Sequence, residues 1–331
     1  MSSKVTIYEV ALAARVSLAT VSRVLNNPEK VKADTKDRVL RVIKELGYRP
    51  NAIARGLASR KTTTVGVLVS DITRASVAEM LAGIADIAMK YSYSVKLFSA
   101  HDDVNVIDLL KEIVAEQVDG VLLLNDELDL AHMKQIKDTL EENEIPLVLA
   151  NVVYNDKNVP SVSIDYDKAG YEITKLMIEA GRKDIYLVST VRKYSVNEQK
   201  ELGYSRAMQE SNLEPRIFRT SGTTSVNRQH FASYFSDKKV DGAIGVRDSI
   251  AVSFMNIMSE AGKKIPQDIL VSGFQNTKYG ILSRPTLTSI DVPVYDIGAV
   301  AMRLLTKLMN KEAVDQIKII LPHYIVRRDS M

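Results

Sequence analysis

Cysteine is absent from the whole of this chain. Disulfide frameworks, thiolate zinc sites and cysteine nucleophiles are therefore excluded together, and the absence fits a reducing cytosol. The four histidines, His101, His132, His230 and His323, are scattered without metal-ligand spacing. No run approaches the ~18 to 20 apolar residues that a membrane span needs. The N-terminal MSSKVTIYEVALAARVS has a short apolar pattern broken by Glu9 and Arg15, unlike a signal peptide. Neither G-x-x-x-x-G-K-[ST] nor G-x-G-x-x-G occurs, which removes the common phosphate-cradling loops of enzymes. Acidic pairs such as Asp102-Asp103 and Glu141-Glu142 sit in polar stretches that read as solvated faces. The expectation is a cytoplasmic protein that is not an enzyme, with no cofactor, no metal and no membrane partner.

What is present is a charge asymmetry. The apolar share of 46% and charged share of 26% are ordinary for a globular chain long enough for two or three domains. Residues 1–61, however, hold 13 Lys/Arg against 5 Asp/Glu, a net of +8, while the rest of the chain is mildly acidic. A basic head on an acidic body is the electrostatic footprint of a nucleic-acid-binding module joined to something else.

The head reads as short helices. Thr6 can cap a helix over 7–14. A second, capped by Ser17, runs to Asn26 and stops in the turn chemistry of Asn26-Asn27-Pro28. A third spans about 33–46, with Val39, Leu40, Ile43 and Leu46 on its predicted buried face and Gly47 beyond its end. From Val65 the texture becomes strand and helix in alternation. The β-rich runs are VGVLV (65–69), SVKLF (94–98), VDGVLLL (118–124), IPLVLA (145–150), SVSI (161–164), IYLVS (185–189), VDGAIGV (240–246) and ILVSGF (269–274). Such alternation implies parallel sheets with helices on both faces. The recurrence of Val-Asp-Gly at 118–120 and 240–242 makes two similar halves plausible, with a ligand cleft between them.

The strongest motif is VTIYEVALAARVSLATVSRVLNN, Val5 to Asn27. Two short helices joined at Arg15-Val16-Ser17 make a helix-turn-helix, whose second helix enters the major groove. Leu18 and Ala19 offer apolar contact to thymine methyls, and Arg23 can form a bidentate bond with guanine. Thr6, Ser17, Thr20, Ser22 and Asn26 are placed at caps or toward phosphates, which fix register without reading sequence. In the following segment, RPNAIARGLASRKTTT, Asn51 can cap a short helix over 52–58. That helix is too short to be stable alone, and DNA or a second copy can order it.

TIYEVALAARVSLATVSRVLN, followed by ELGYRPNAIARGLASRKT and a two-lobed α/β body, resembles the LacI/GalR transcriptional regulators over essentially the whole chain. RPNAIARGLASRKTTTVGV and YDIGAVAMRLLTKLMNKE are most similar to the carbon catabolite control subgroup of Gram-positive bacteria. The resemblance implies a mixed α/β architecture with three parts. These are a helix-turn-helix domain at 1–49, a hinge helix and linker at 50–63, and a periplasmic-binding-protein-like body of parallel sheets at 64–331. In the body, one lobe takes about 64–161 and 292–321, and the other about 162–291 and 322–331. It also implies a homodimer on a pseudo-palindromic double-stranded operator, with Leu57 wedged into the minor groove and Ala54 and Arg55 beside it.

For the helix YDIGAVAMRLLTKLMNKE, the wheel predicts a core stripe of Ala301, Met302, Leu304, Leu305, Leu308 and Met309. Asp296, Ala299, Val300, Arg303, Thr306 and Lys307 fall on the other side. The resemblance implies that this outer face takes HPr phosphorylated on serine. Arg303 and Lys307 then hold the phosphate, Ala299 and Val300 form an apolar platform, and Asp296 meets a partner histidine. The cleft departs from the family's pattern. Ile72-Thr73-Arg74-Ala75-Ser76-Val77 after Asp71 holds no aromatic, Lys200 stands where an arginine is usual, and Gln275 where an acid is usual. Asp248 matches. Lys and Arg are not interchangeable in bidentate recognition. A weak effector, or an anion bound by Arg74, Arg247 and Lys200 near Asp71, is therefore the alternative form of control. A solute-binding protein or sugar enzyme on the same body is a third reading, disfavoured by the basic head.

Overall fold

The computed structural model describes residues 5–26, 28–48, 62–99, 105–124 and 128–331. The chain divides into two compact units, Met1–Thr62 and Thr63–Met331.

The first unit contains α1 (Ile7–Ala13), α2 (Leu18–Asn26), a 3₁₀ turn at Pro28–Lys30 and α3 (Ala33–Leu46). Thr6 closes a capping box on α1: its hydroxyl accepts the Glu9 amide, and the Glu9 carboxylate accepts the Thr6 amide at 2.7 Å. The turn to α2 places Arg15 at φ 51, with the Arg15 and Val16 amides donating back to Leu12 and Ala11. Ser17 then caps α2 by accepting the Thr20 amide at 3.2 Å. α3 ends at Gly47, φ 64, a left-handed conformation that glycine adopts without strain. Val10, Ala14, Val21, Val24 and Val39 form the core. The predicted burial of Leu40 and Leu46 does not hold, because these are 42% and 37% exposed. α1 and α2 have only 7 and 9 residues, too short to cover the whole apolar stripe of α3.

The second unit holds twelve strands among its described residues. These are β1 (Thr64–Val69), β2 (Ser94–Ser99), β3 (Gly120–Leu123), β4 (Leu147–Ala150), β5 (Ser161–Ile164), β6 (Ile185–Thr190), β7 (Arg216–Thr220), β8 (Gly242–Gly245), β9 (Leu270–Phe274), β10 (Thr288–Asp291), β11 (Lys318–Leu321) and β12 (Tyr324–Val326). Its helices are α4 (Ala75–Lys90), α5 (Val106–Ala115), α6 (Leu130–Glu142), α7 (Tyr166–Glu179), α8 (Ser195–Glu210), α9 (Thr224–Tyr234), α10 (Asp248–Glu260), α11 (Lys278–Leu282) and α12 (Val294–Met309).

The strands build two six-stranded sheets, ordered β2-β1-β3-β4-β5-β11 and β7-β6-β8-β9-β10-β12. The order is the same in both, and every neighbouring pair is parallel except β10 with β12. The repeated Val-Asp-Gly has a matching role in each half. Asp119 accepts the Thr63 amide at 2.9 Å and Asp241 accepts the Asp184 amide at 2.9 Å, so each pins the start of the strand beside it. The chain passes to the second sheet after Ile164, not after Ser161, because all of β5 pairs with β4 and β11 in the first. It returns through α12 into β11 and crosses a last time into β12.

Each half also has one close helix crossing. α4 crosses α12 at Gly83 and Gly298, where any side chain would overlap the Tyr295 and Met80 carbonyls. α7 crosses α8 at Gly170 and Gly203. A Cβ at Gly170 would sit 2.6 Å from the Lys200 carbonyl oxygen, and one at Gly203 would overlap the Asp167 carbonyl. Among the described residues these crossings carry the most extensive helix contacts.

Candidate DNA-binding head, partner face and interlobe cleft

On α2 the buried residues are Val21 and Val24. That packing turns Leu18, Ala19 and Arg23 outward, with Thr20 and Ser22 half-buried beside them. A short helix presenting a leucine, an alanine and an arginine to solvent has the chemistry of base reading: apolar contact for thymine methyls and a planar donor fork for guanine. The Ser17 and Thr20 hydroxyls lie 2.9 Å apart, and the Thr6 hydroxyl donates to Glu9 at 2.9 Å. Thr6 and Ser17 thus hold helix starts in this structure. The Asn26 side chain and the expected hinge residues Asn51, Ala54, Arg55 and Leu57 lie outside the described residues.

α12 is covered on two sides. Leu305 and Met309 press on the sheet at Gly120, while Gly298 and the Ala299 amide lie against α4 at Gly83 and Met80. Ala299 and Thr306 are consequently buried, at 5% and 3% exposure, and Thr306 spends its hydroxyl on the Met302 carbonyl at 2.8 Å. The expectation that they belong to an outer face is corrected: a helical wheel shows one stripe and cannot reveal that a second helix covers part of the other. Leu308, assigned to the core stripe, is only partly buried. What remains on the surface is Asp296, Arg303 and Lys307, with Val300 half-exposed among them. Tyr295 stands at the edge of this stripe and donates its hydroxyl to Asp86 of α4 at 2.6 Å.

The cleft between the sheets brings together Arg74, Lys200, Arg247 and Gln275, with Tyr194, Ser76, Asn151 and Asn197. Asp71 joins them through Arg74, 3.7 Å away. Burial opposes ionisation of Asp71, but hydrogen bonds from the Thr73 hydroxyl and amide, with the charges of Arg74 and Arg247, hold its carboxyl below the usual value. Lys200 is buried, donating to the Asn197 side chain at 3.1 Å and the Val246 carbonyl at 3.0 Å, between the rings of Tyr166 and Phe274. Gln275, at φ 97, donates to the Ser76 hydroxyl at 3.2 Å. Between these groups only about 30 Å³ remains, room for a water and far less than a sugar needs. Asp248 is not a cleft residue. It is buried behind β9 and β10, accepting the Thr277 amide and hydroxyl at 2.5 and 2.9 Å and the Ser289 hydroxyl at 2.6 Å.

Residues 6–51 match the model for bacterial regulatory proteins of the lacI family, and residues 174–331 match a periplasmic binding protein-like domain. The chain is 40% identical to catabolite control protein A of Priestia megaterium, over 98% of its own length and 99% of the relative's. It belongs to the LacI family. A crystal structure of the transcription regulator CcpA of Lactococcus lactis is 34% identical, with a TM-score of 0.69 over 81% of this chain and 98% of that one. The Lac repressor dimer bound to operator and an anti-inducer is 22% identical and shares the fold, with a TM-score of 0.87 over 99% of each chain.

As a LacI-family member the chain is a DNA-binding transcriptional regulator and not an enzyme. Among the described residues no helix is long and apolar enough to cross a membrane. Of the cleft residues that sequence reasoning missed in this regulator, Tyr194 is the aromatic. It follows β6, the strand of the second half equivalent to β1, whereas the segment after β1 itself holds no aromatic. The repeated strand order is the signal that would have pointed there.

Burial pushes the Asp248 carboxyl up to about 6, against the hydrogen bonds it accepts from Ser289 and Thr277. A folded-state value above the unfolded one means that the native state keeps this proton longer. The group therefore favours folding below about pH 4, and that contribution is lost as pH rises through 6, a difference of roughly 3 kcal/mol. Urea unfolding from pH 4 to 7 is expected to show the regulator losing stability relative to an Asp248→Asn variant. Parallel stability curves would show that this carboxyl does not set the slope.

Proposed function

We propose that this regulator binds a pseudo-palindromic duplex operator as a homodimer, in the cytoplasm, and takes serine-phosphorylated HPr as its co-regulator in carbon catabolite control. The observation that carries the reading is the stripe on α12 of exposed Asp296, Arg303 and Lys307 around half-exposed Val300. Arg303 and Lys307 stand one helical turn apart, so two cations reach one phosphate. A phosphoserine brings a charge near −2 and three acceptor oxygens. Val300 supplies the apolar contact and Asp296 a carboxylate for a histidine of the partner. The full-length likeness to catabolite control protein A supports a role in catabolite control.

On DNA, the α2 residues Leu18, Ala19 and Arg23 read base edges, Thr20, Ser22 and Asn26 contact phosphates, and Leu57 enters the minor groove beside Ala54 and Arg55. A two-fold symmetric dimer requires two half-sites of matching symmetry. Selection from random duplexes, followed by titration over a salt series, tests this: a pseudo-palindrome with steep salt dependence is expected. Leu57→Ala is expected to weaken operator binding at least tenfold, since a wedge stabilises the kinked duplex, with body stability unchanged. An unaltered operator titration would remove the wedge. The competing reading is control by a small sugar or anion in the cleft. Operator affinity that responds to sugar phosphates and not to the phosphoprotein would favour it.

A further inference from the structure

We propose that the two lobes are closed on each other by an internal ligand: the Arg74 guanidinium, supplied by the first lobe to Tyr194 of the second. Arg74 and Tyr194 hold matching places in the duplicated architecture. Each is the N-cap residue immediately before the first helix after the first-numbered strand of its sheet, α4 in one lobe and α8 in the other. Across the cleft, Arg74 donates to the Tyr194 hydroxyl at 2.6 Å, and its Cζ lies 4.7 Å from the ring centroid. One guanidinium thus makes a directed hydrogen bond and a cation–π contact with the same side chain. The Arg74 side chain is only 17% exposed, so both contacts act in a partly desolvated setting, where they are stronger than in water.

The arginine is held ready on its own lobe. Asp71 lies 3.7 Å from Arg74 Nε, and Asp71 is itself fixed by the Thr73 hydroxyl and amide at 2.6 and 2.8 Å. Arg247 of the second lobe lies 5.7 Å from the same ring centroid. A second strap crosses nearby, where Gln275 reaches the Ser76 hydroxyl from a left-handed conformation that non-glycine residues rarely hold. Strain at a residue that bridges two lobes marks a place where the surrounding structure enforces the contact. At the rear of the cleft, the Tyr166 hydroxyl donates to Asn151 at 2.6 Å and the Val153 amide to the Ser195 hydroxyl at 3.1 Å. Removal of the arginine side chain leaves a slot that fits a guanidinium and is walled by the Tyr194 ring.

The chain's lack of cysteine makes a distance measurement straightforward. Spin labels on Lys134→Cys and Gln229→Cys, one on each lobe and both exposed, report closure by pulsed dipolar spectroscopy with labelled chain diluted into unlabelled. The full-length protein is expected to give a single short distance. Arg74→Ala should shift the distribution to longer, broader values, and millimolar methylguanidinium should restore it. Tyr194→Phe keeps the ring contact and loses the hydroxyl, so it should shift the distribution less. Thermal melts establish that each variant is folded, and Tyr194→Phe decides the matter if Arg74→Ala is not. An unchanged distribution in the folded variants would overturn the proposal. So would a longer distance in Arg74→Ala that methylguanidinium fails to shorten, since the guanidinium would then not be what closes the lobes.

Discussion

Arg303→Glu is expected to abolish the gain in operator affinity conferred by serine-phosphorylated HPr, while leaving the affinity without partner within about twofold. Arg303 is exposed on α12, and substitutions at such positions shift stability by only about 0.5 kcal/mol. A hydrogen bond to a charged group contributes about 1.5–3 kcal/mol, and the variant adds a carboxylate facing a phosphate of charge near −2. Loss of that interaction corresponds to at least a tenfold change in partner affinity, at 1.4 kcal/mol per decade. Lys307, one turn away, is a flexible point charge that cannot restore the planar fork of an arginine. Anisotropy titration of operator DNA, with and without the phosphoprotein, measures the gain directly. An undiminished gain in the variant would remove this face from the mechanism.

The second large effect lies in the body. Gly203→Ala is expected to destabilise the second unit by about 3 kcal/mol, at the top of the range for overpacked sites. The added Cβ would overlap the Asp167 carbonyl and lie 2.7 Å from the Tyr171 amide nitrogen. Both obstacles are backbone, so relief requires α8 to move from α7. Because α8 starts after Tyr194 and carries Asn197 and Lys200, the same displacement should disturb the cleft. Gly280 serves as control: a Cβ there meets nothing closer than 3.5 Å, so Gly280→Ala should stay within about 1 kcal/mol of the native protein. Urea unfolding of both variants checks the contrast, and equal midpoints would contradict the crossing argument.

The legible parts of this fold are those decided by local chemistry. Thr6, Ser17 and Gly47 mark helix ends because capping and left-handed conformations depend on neighbours three or four residues away. The buried strands announce themselves as apolar runs between helical stretches. β7, β11 and β12 escape such reading because they lie at or near sheet edges, where side chains need not be apolar. β10 escapes it for a different reason. Its Thr288 and Ser289 are fully buried, and their polar atoms bond Arg328, Ser330, Asp248 and Asn276. Tyr194 becomes a cleft residue only when the lobes meet, 120 positions from Arg74. Ala299 and Thr306 illustrate the converse error, since periodicity sorts a helix into two faces and α12 packs with more than one.

The most direct test is the affinity of the wild-type chain for its selected operator, measured with HPr that is unphosphorylated and then phosphorylated on serine. An increase of tenfold or more with the phosphorylated form alone, lost in Arg303→Glu, is the expected result. Equal affinity with the two forms of HPr would contradict it.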